Sequence, residues 1–161
     1  MRILLIITCL ANVAFAFGSL PWLPNPMANH FSLNGTPNRF EPPLINAVAM
    51  CVITGFIVFM VRCFSKLSTS IYSIPNRDYW LSEYNRPKMI RRLRSFWDSL
   101  GFGANLLLLF FQWEMLQANQ TIPPHATPFA LVYACTALFV FIVVEIIRLY
   151  LSFRLPKTET Q

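Results

Sequence analysis

The chain alternates between four long apolar runs and shorter polar stretches. Each run is long enough to cross about 30 Å of hydrocarbon as a helix, which takes about 20 residues. Pro128 suits the first turn of the fourth helix, because proline has no amide hydrogen to leave unbonded there. The expected fold is an all-α membrane protein with a single domain, residues 1–161. Its four predicted transmembrane helices are approximately 3–23, 44–64, 100–118 and 128–153.

The composition supports the bilayer as the solvent of this chain. Hydrophobic residues make up 55% and charged residues only 12%, against about 25% charged residues in soluble domains. A soluble chain of this size could not bury so much apolar surface. The four cysteines lie in or beside the apolar runs and form no CxxC pair. They are expected to be small core residues, and we expect no metal and no cofactor.

The distribution of basic residues predicts which way the helices run. With the N-terminus in the cytoplasm, every Lys and Arg except Arg39 falls on the cytoplasmic side, as the positive-inside rule requires. The net charge of +6 therefore reflects topology, and nucleic acid is not an expected partner. A cleaved signal peptide ending at Ala14-x-Ala16 is the competing interpretation of the first run. The apolar run continues to Leu23, which favours a retained helix with both termini cytoplasmic.

The loop between the first two runs is rich in turn-forming residues. Its prolines exclude a long helix, and Asn34-Gly35 is a strong turn signal because both residues tolerate positive φ. Phe31 and Leu33 flank this turn on one side and Phe40 on the other. The pattern predicts a short hairpin or compact cap on the extracytoplasmic side.

The chain has two histidines, and both lie in predicted outer loops. His30 and His125 could share a metal ion in principle, but Glu41 is the only carboxylate at hand, so the set makes a weak site. We expect His30 to hydrogen-bond within its proline-rich loop instead.

Eight residues of the first loop form a pattern of an LP pair, a Pro, an HF pair, a Gly, a Pro and an aromatic. They are Leu20, Pro21, Pro26, His30, Phe31, Gly35, Pro37 and Phe40. This pattern resembles the signature of a bacterial membrane-protein family called domain of unknown function 1648. The segment 74–81, IPNRDYWL, is similar to one in the cytoplasmic loop of small members.

That domain also forms the N-terminal part of SdpI-type immunity proteins, which protect a cell against its own secreted killing factor. The resemblance implies a protein of the bacterial inner membrane. It also implies a non-enzymatic role as a sensor, immunity or protein-interaction protein.

The predicted cytoplasmic loop, residues 65–99, contains an amphipathic pattern. From Pro87 onwards its apolar residues recur at spacings of one, three and four, which is one face of a helix. We expect a helix that begins near Asn85 and lies along the inner membrane surface. Its basic residues are Arg86, Lys88, Arg91, Arg92 and Arg94. Each contributes about 1 kcal/mol near an anionic leaflet, so the lipid bilayer is the expected partner, and a cytoplasmic protein is the alternative.

Besides Arg62 near the end of the second helix, three charged residues lie within the predicted transmembrane helices. Glu145 and Arg148 are three residues apart and can pair on one helical face, whereas Glu114 lies near the outer end of the third helix. Charge inside a bilayer is costly, so all three are functional candidates. The polar residues that could join them in a seam are Asn12, Asn46, Asn105 and Gln112.

A polar seam makes a small transporter or channel-like subunit the alternative function. The chain shows no inverted repeat and no broken helix, so we expect interhelical hydrogen bonds rather than a substrate path. Such a seam also suits association with itself or with another membrane protein. No G-x-S-x-G or H-E-x-x-H motif is present, and we expect no enzymatic activity.

Overall fold

The computed structural model describes residues 1–67 and 73–155. A middle part of the predicted cytoplasmic loop, 68–72, and the end of the chain, 156–161, lie outside the described residues. The elements in chain order are α1 (Arg2–Gly18), a 3-10 turn (Leu20–Trp22), β1 (Met27–Phe31), β2 (Pro37–Glu41), α2 (Pro43–Phe64), α3 (Arg77–Leu81), α4 (Arg86–Asn119) and α5 (Ala130–Ser152). The chain is mostly helical, and α1, α2, α4 and α5 are long and apolar enough to cross a membrane. The coarse prediction of four membrane-length helices is confirmed.

The central element of the fold is α4, which contacts α1, α2 and α5. Close approach at its middle depends on Gly101, where an added Cβ would lie 2.7 Å from Val61 Cγ2 and 3.0 Å from Leu5 Cδ1. Small residues at helix crossings let two backbones approach closely, and this packing stabilises helices in lipid. Val61 belongs to a row on α2, with Ala47 and Thr54, that is buried at every seventh residue. This spacing of seven is typical of a narrow helix–helix seam.

The predicted surface helix is wrong as a separate element. Residues 86–119 form one continuous helix of 34 residues, about 51 Å long at 1.5 Å per residue. No proline interrupts it after the first turn, since Pro87 lies at its start. About 20 residues suffice to cross the hydrocarbon, so the basic first part of α4 extends beyond that length instead of turning along a surface.

The apolar face of this first part of α4 is covered by protein. Met89 and Leu93 are buried against Trp80 of α3 and against Phe153, the residue that follows α5. Trp97 stacks on Phe64 at the end of α2, with ring centroids 4.8 Å apart. The amphipathic pattern was therefore interpreted correctly as a helix with one buried face. The prediction was wrong about what buries that face.

The predicted start of the fourth membrane helix is also wrong. The helix begins at Ala130, and Phe129 at its N-cap takes a left-handed conformation with φ 59°. The Phe129 amide donates a hydrogen bond to the Leu33 carbonyl at 3.1 Å. Pro128 thus lies in the preceding loop, because the contact with the hairpin decides where the helix starts.

The predicted hairpin is confirmed. β1 and β2 pair in antiparallel fashion, with Met27 opposite Glu41, and the register is irregular around His30. The hairpin lies where α1 ends and α2 begins, and the loop between α4 and α5 lies at the same end of the bundle. The basic first part of α4 and the end of α5 lie together at the opposite end, which we call the basic end.

Candidate functional site: the cap and the polar face of α4

The hairpin and the loop between α4 and α5 form one unit, the cap, comprising residues 27–41 and 120–129. Besides the Phe129 bond, the Ala126 amide donates to the Gly35 carbonyl at 2.9 Å. Gly35 has φ +89°, and an added Cβ would lie 2.2 Å from Ala126 O and 2.8 Å from His125 Nε2. A side chain at this position would be excluded both by backbone conformation and by space. The predicted signature glycine is therefore the point where the two loops touch.

Asn119, the last residue of α4, attaches the cap to the helices. Its Oδ1 accepts a hydrogen bond from the Ala28 amide at 2.7 Å, and its Nδ2 donates to the Ala28 carbonyl at 2.8 Å. Nδ2 also donates to the Met115 carbonyl at 2.9 Å. The side chain thus satisfies both backbone groups of one residue of β1, as a neighbouring strand would. This geometry holds the hairpin at a fixed position on the end of α4.

The predicted signature residues all lie at this end of the bundle. Leu20 and Pro21 form the 3-10 turn that precedes the hairpin, and Pro26 immediately precedes β1. The remaining strand residues are His30 and Phe31 in β1 and Pro37 and Phe40 in β2. His30 Nδ1 hydrogen-bonds to Asn38 Oδ1 across the hairpin. Among residues 1–67 and 73–155, no three His, Cys, Asp or Glu side chains come together in a group that could hold a metal.

A groove of about 340 Å³ runs under the cap, between it and helices α2, α4 and α5. We call it the cap groove. Its walls are mainly apolar and include three phenylalanines. Its polar lining residues are Asn29, His30, Ser32, Glu114 and Thr127. Asn29 Oδ1 is buried without a hydrogen-bond partner. Glu114 has no ion pair or hydrogen bond within the described part of the chain. The groove therefore offers one carboxylate that lacks a donor, while Asn29 Oδ1 is buried within its wall.

Four buried polar residues recur at every seventh position of α4 and form what we call the polar ladder: Asp98, Asn105, Gln112 and Asn119. The first ladder residue contacts α2, the two middle ones share one partner on α1, and the last one bonds to β1. Asp98 lies 4.0 Å from Arg62 of α2. Asn12 of α1 donates from Nδ2 to the Asn105 carbonyl at 2.9 Å and accepts at Oδ1 from Gln112 Nε2 at 2.7 Å. The ladder thus connects α4 to α2, to α1 and to the cap.

The predicted polar seam is partly present in this ladder. Asn12, Asn105 and Gln112 come together as interhelical hydrogen bonds, whereas Asn46 makes no hydrogen bond within residues 1–67 and 73–155. Sequence reasoning missed Asp98 and Asn119. The signal that could have found them is the spacing of seven, because residues seven apart share one face of a helix.

The basic end contains the predicted pair of intramembrane charges. Glu145 and Arg148 form an ion pair, with Oε2 and Nη2 2.7 Å apart, and Glu145 is only 5% exposed. Glu114 lies at the cap end of the bundle, far along α4 from this pair. The three candidate charges therefore form two separate sites: the Glu145–Arg148 pair at the basic end and Glu114 at the cap end.

Arg92 differs from the other residues of the predicted basic helix. Its guanidinium lies 4.3 Å from the ring centroid of Trp80 and donates to the Ser152 carbonyl at the end of α5. Trp80 Nε1 and Asn76 Nδ2 both donate to the Phe153 carbonyl, at 2.9 and 3.1 Å. The IPNRDYWL segment thus satisfies the Phe153 carbonyl, and Arg92 satisfies the Ser152 carbonyl, both of which the C-terminus of α5 leaves unbonded. The other basic side chains are exposed: Arg86, Lys88, Arg91 and Arg94.

The sequence matches no family model, and no match is found among curated proteins or solved structures. The resemblance to the domain of unknown function 1648 therefore stays a prediction carried by the signature residues themselves.

Proposed function

We propose that the protein is a non-enzymatic, multi-pass protein of a bacterial inner membrane that recognises a partner through the cap. Its role would be that of a sensor, an immunity protein or a protein-interaction subunit. The observation that carries this proposal is the cap groove, in which the carboxylate of Glu114 lies without an ion pair between apolar walls. The role is a property of the cap, so it requires no catalytic group.

Charge supports an orientation with both termini in the cytoplasm. Exposed basic residues concentrate at the basic end, whereas the cap contains a single Lys or Arg residue, Arg39, whose exposed guanidinium lies 3.8 Å from the Glu41 carboxylate. The positive-inside rule then makes the cap extracytoplasmic. The exposed basic side chains of α4 are suited to the headgroups of an anionic inner leaflet.

The chemistry of the cap groove suggests what kind of partner it accepts. The unpaired carboxylate of Glu114 favours a group that donates hydrogen bonds and carries positive charge. The aromatic walls favour an apolar body next to that group. Because the cap is already fixed by Asn119 and Gly35, binding would require little ordering of the loops. A cationic, partly apolar segment of another protein meets these requirements.

Photo-crosslinking in cells tests this proposal. A photoreactive amino acid at Leu33, which lines the cap groove, should give a discrete crosslinked product that disappears when Glu114→Gln is added. The matched control is the same photoreactive residue at Phe139, an exposed position of α5, which should not give that product. A Leu33 product that persists in the Glu114→Gln background, or that appears equally at Phe139, would contradict recognition through the groove.

The orientation has its own test. Single cysteines at Ser32, Thr127 and Ser82 are introduced into a cysteine-free chain and treated in intact cells with a membrane-impermeant thiol reagent. Ser32 and Thr127 should be labelled, and Ser82 should be labelled only after permeabilisation. Labelling of Ser82 in intact cells would invert the orientation.

The second candidate is a small transporter or channel-like subunit that uses Glu114, Glu145 and Arg148. The burial of Glu145 is the observation in its favour, because buried charge in a membrane helix often belongs to a path. Against it, the amides between the two ends are engaged in interhelical hydrogen bonds. In a deletion strain, transport predicts that Glu145→Gln fails to complement, whereas recognition predicts that Gly35→Ala fails.

A further inference from the structure

A small pocket of about 240 Å³ lies at the basic end between the first part of α4 and the last turns of α5. Its polar lining consists of Arg92 and Ser95 from α4 and Glu145, Arg148 and Ser152 from α5. Two guanidinium groups and one carboxylate therefore share a single pocket. None of the signature residues and none of the cap residues belong to it.

The ion pair alone does not account for this arrangement. Arg148 is on the same helix as Glu145, and its side chain is 52% exposed, so the two could have paired at the surface. Glu145 is instead almost completely buried between two helices, and burying a carboxylate carries a desolvation cost that one partner repays only in part. Arg148 Nη2 engages Glu145 Oε2 at 2.7 Å, and a carboxylate has about four acceptor sites on its two oxygens. The carboxylate thus keeps capacity to accept a donor from within the pocket.

The two guanidinium groups are held in position by the protein. Arg92 is fixed by the ring of Trp80 and by its bond to the Ser152 carbonyl, and Arg148 is fixed by Glu145. A guanidinium has five N–H donors, so each of these contacts leaves donors free for another ligand. Planar guanidinium groups are well suited to the oxygens of a phosphate.

We propose that this pocket binds the headgroup of an aminophospholipid, that is, a phosphodiester bearing a primary ammonium group. Arg92 and Arg148 would contact the phosphodiester oxygens, and Glu145 would accept a hydrogen bond from the ammonium. The depth is suitable, because Glu145 lies seven residues before the end of α5, about 10 Å along the helix. The proposal rests on residence of the chain in a membrane and is independent of what the cap recognises.

Retention of lipids by the purified protein tests the proposal directly. The full-length protein is placed in nanodiscs containing equal parts of phosphatidylethanolamine, phosphatidylcholine and phosphatidylglycerol with identical acyl chains. Bound lipids are then counted by native mass spectrometry. We expect phosphatidylethanolamine to exceed phosphatidylcholine about tenfold, because a quaternary ammonium cannot donate a hydrogen bond to Glu145. Phosphatidylglycerol has no ammonium group for Glu145, but its negative charge is attracted to the exposed basic side chains of α4. The comparison that decides the proposal is therefore the one between phosphatidylethanolamine and phosphatidylcholine.

Variants assign the roles within the pocket. Glu145→Gln should remove the preference for phosphatidylethanolamine over phosphatidylcholine while keeping phosphate-dependent retention of both lipids. Arg148→Gln should reduce retention of both phosphatidylethanolamine and phosphatidylcholine. The matched control is Arg154→Gln, an exposed arginine beside the same helix end that does not line the pocket, and it should leave retention unchanged.

Three results would overturn the proposal. The first is equal retention of phosphatidylethanolamine and phosphatidylcholine by the unaltered protein. This result would exclude the proposal without any variant, so it does not depend on whether a variant folds. The second is a preference that survives Glu145→Gln. The third is displacement of the bound phosphatidylethanolamine by millimolar inorganic phosphate, which would make the pocket a site for a free anion. Loss of cap recognition would change none of these outcomes.

Discussion

Replacing Gly35 by alanine should release the loop between α4 and α5 from the hairpin. A left-handed alanine costs about 1–2 kcal/mol, and the new Cβ would lie 2.2 Å from the Ala126 carbonyl oxygen. That oxygen belongs to the backbone, so the loop itself must move away. The movement breaks the bonds from Ala126 and Phe129 to the hairpin, which contribute about 1 kcal/mol each. The combined effect is about 3–4 kcal/mol on the docking of the cap.

Hydrogen–deuterium exchange in detergent measures this effect at the affected amides. A change of about 3 kcal/mol corresponds to roughly hundredfold faster exchange for Ala126 and Phe129, while exchange within the helices stays unchanged. Gly18→Ala is the matched control, because an added Cβ there meets no atom within 4 Å. Unchanged exchange in residues 120–129 of the Gly35→Ala protein would refute the reasoning. So would equal acceleration in the Gly18→Ala protein.

Three further predictions concern the packing of the helices. Gly101→Ala should lower the thermal unfolding temperature in detergent, because its Cβ would lie 2.7 Å from Cγ2 of Val61, a side chain with little rotational freedom. Overpacking costs about 1–3 kcal/mol, which outweighs the gain of about 1 kcal/mol from the higher helix propensity of alanine. A raised unfolding temperature would contradict this prediction. Asn12→Leu should lower the free energy of unfolding by about 1 kcal/mol in a denaturant titration, because Asn105 and Gln112 lose their hydrogen-bond partner on α1. An unchanged free energy of unfolding would mean that the ladder contributes only to the specificity of helix pairing. Trp80→Phe removes the hydrogen bond to the Phe153 carbonyl and should destabilise the end of α5 by about 1 kcal/mol. This loss should be measurable as faster proteolysis at the basic end. Unchanged proteolysis would argue against capping of α5 by Trp80.

The parts of the fold that local patterns decide could be predicted from the sequence. The apolar runs indicated four membrane-length helices, and Asn34-Gly35 between apolar flanks indicated the hairpin. The errors concern contacts between distant residues. Trp80 and Phe153 meet across more than 70 positions of the chain, and no periodicity reveals that they cover the apolar face of α4. The start of α5 is set in the same way by the contact between Phe129 and Leu33.

The candidate site was predictable to a similar extent. Glu145 and Arg148 pair as their spacing indicates, since residues three apart lie on one face. The role of Gly35 could be predicted only in part. Its turn follows from the neighbouring residues, whereas its contact with Ala126 joins two loops that are far apart in the sequence. Arg92 could not be distinguished from its basic neighbours by sequence. What separates it is the ring of Trp80 and the end of α5, both supplied by other elements.

The regular spacing of the polar ladder restricts how the chain can change in length. One residue inserted between Asn105 and Gln112 would rotate everything beyond it by about 100° about the helix axis, turning Gln112 away from α1 and Asn119 away from the hairpin. Seven inserted residues would restore the direction but would move the cap about 10 Å farther from the basic end. No insertion of either kind leaves all the pairs intact. The 98–119 segment therefore sets both the distance and the angle between the two ends of the protein, and changes in length belong in the loops.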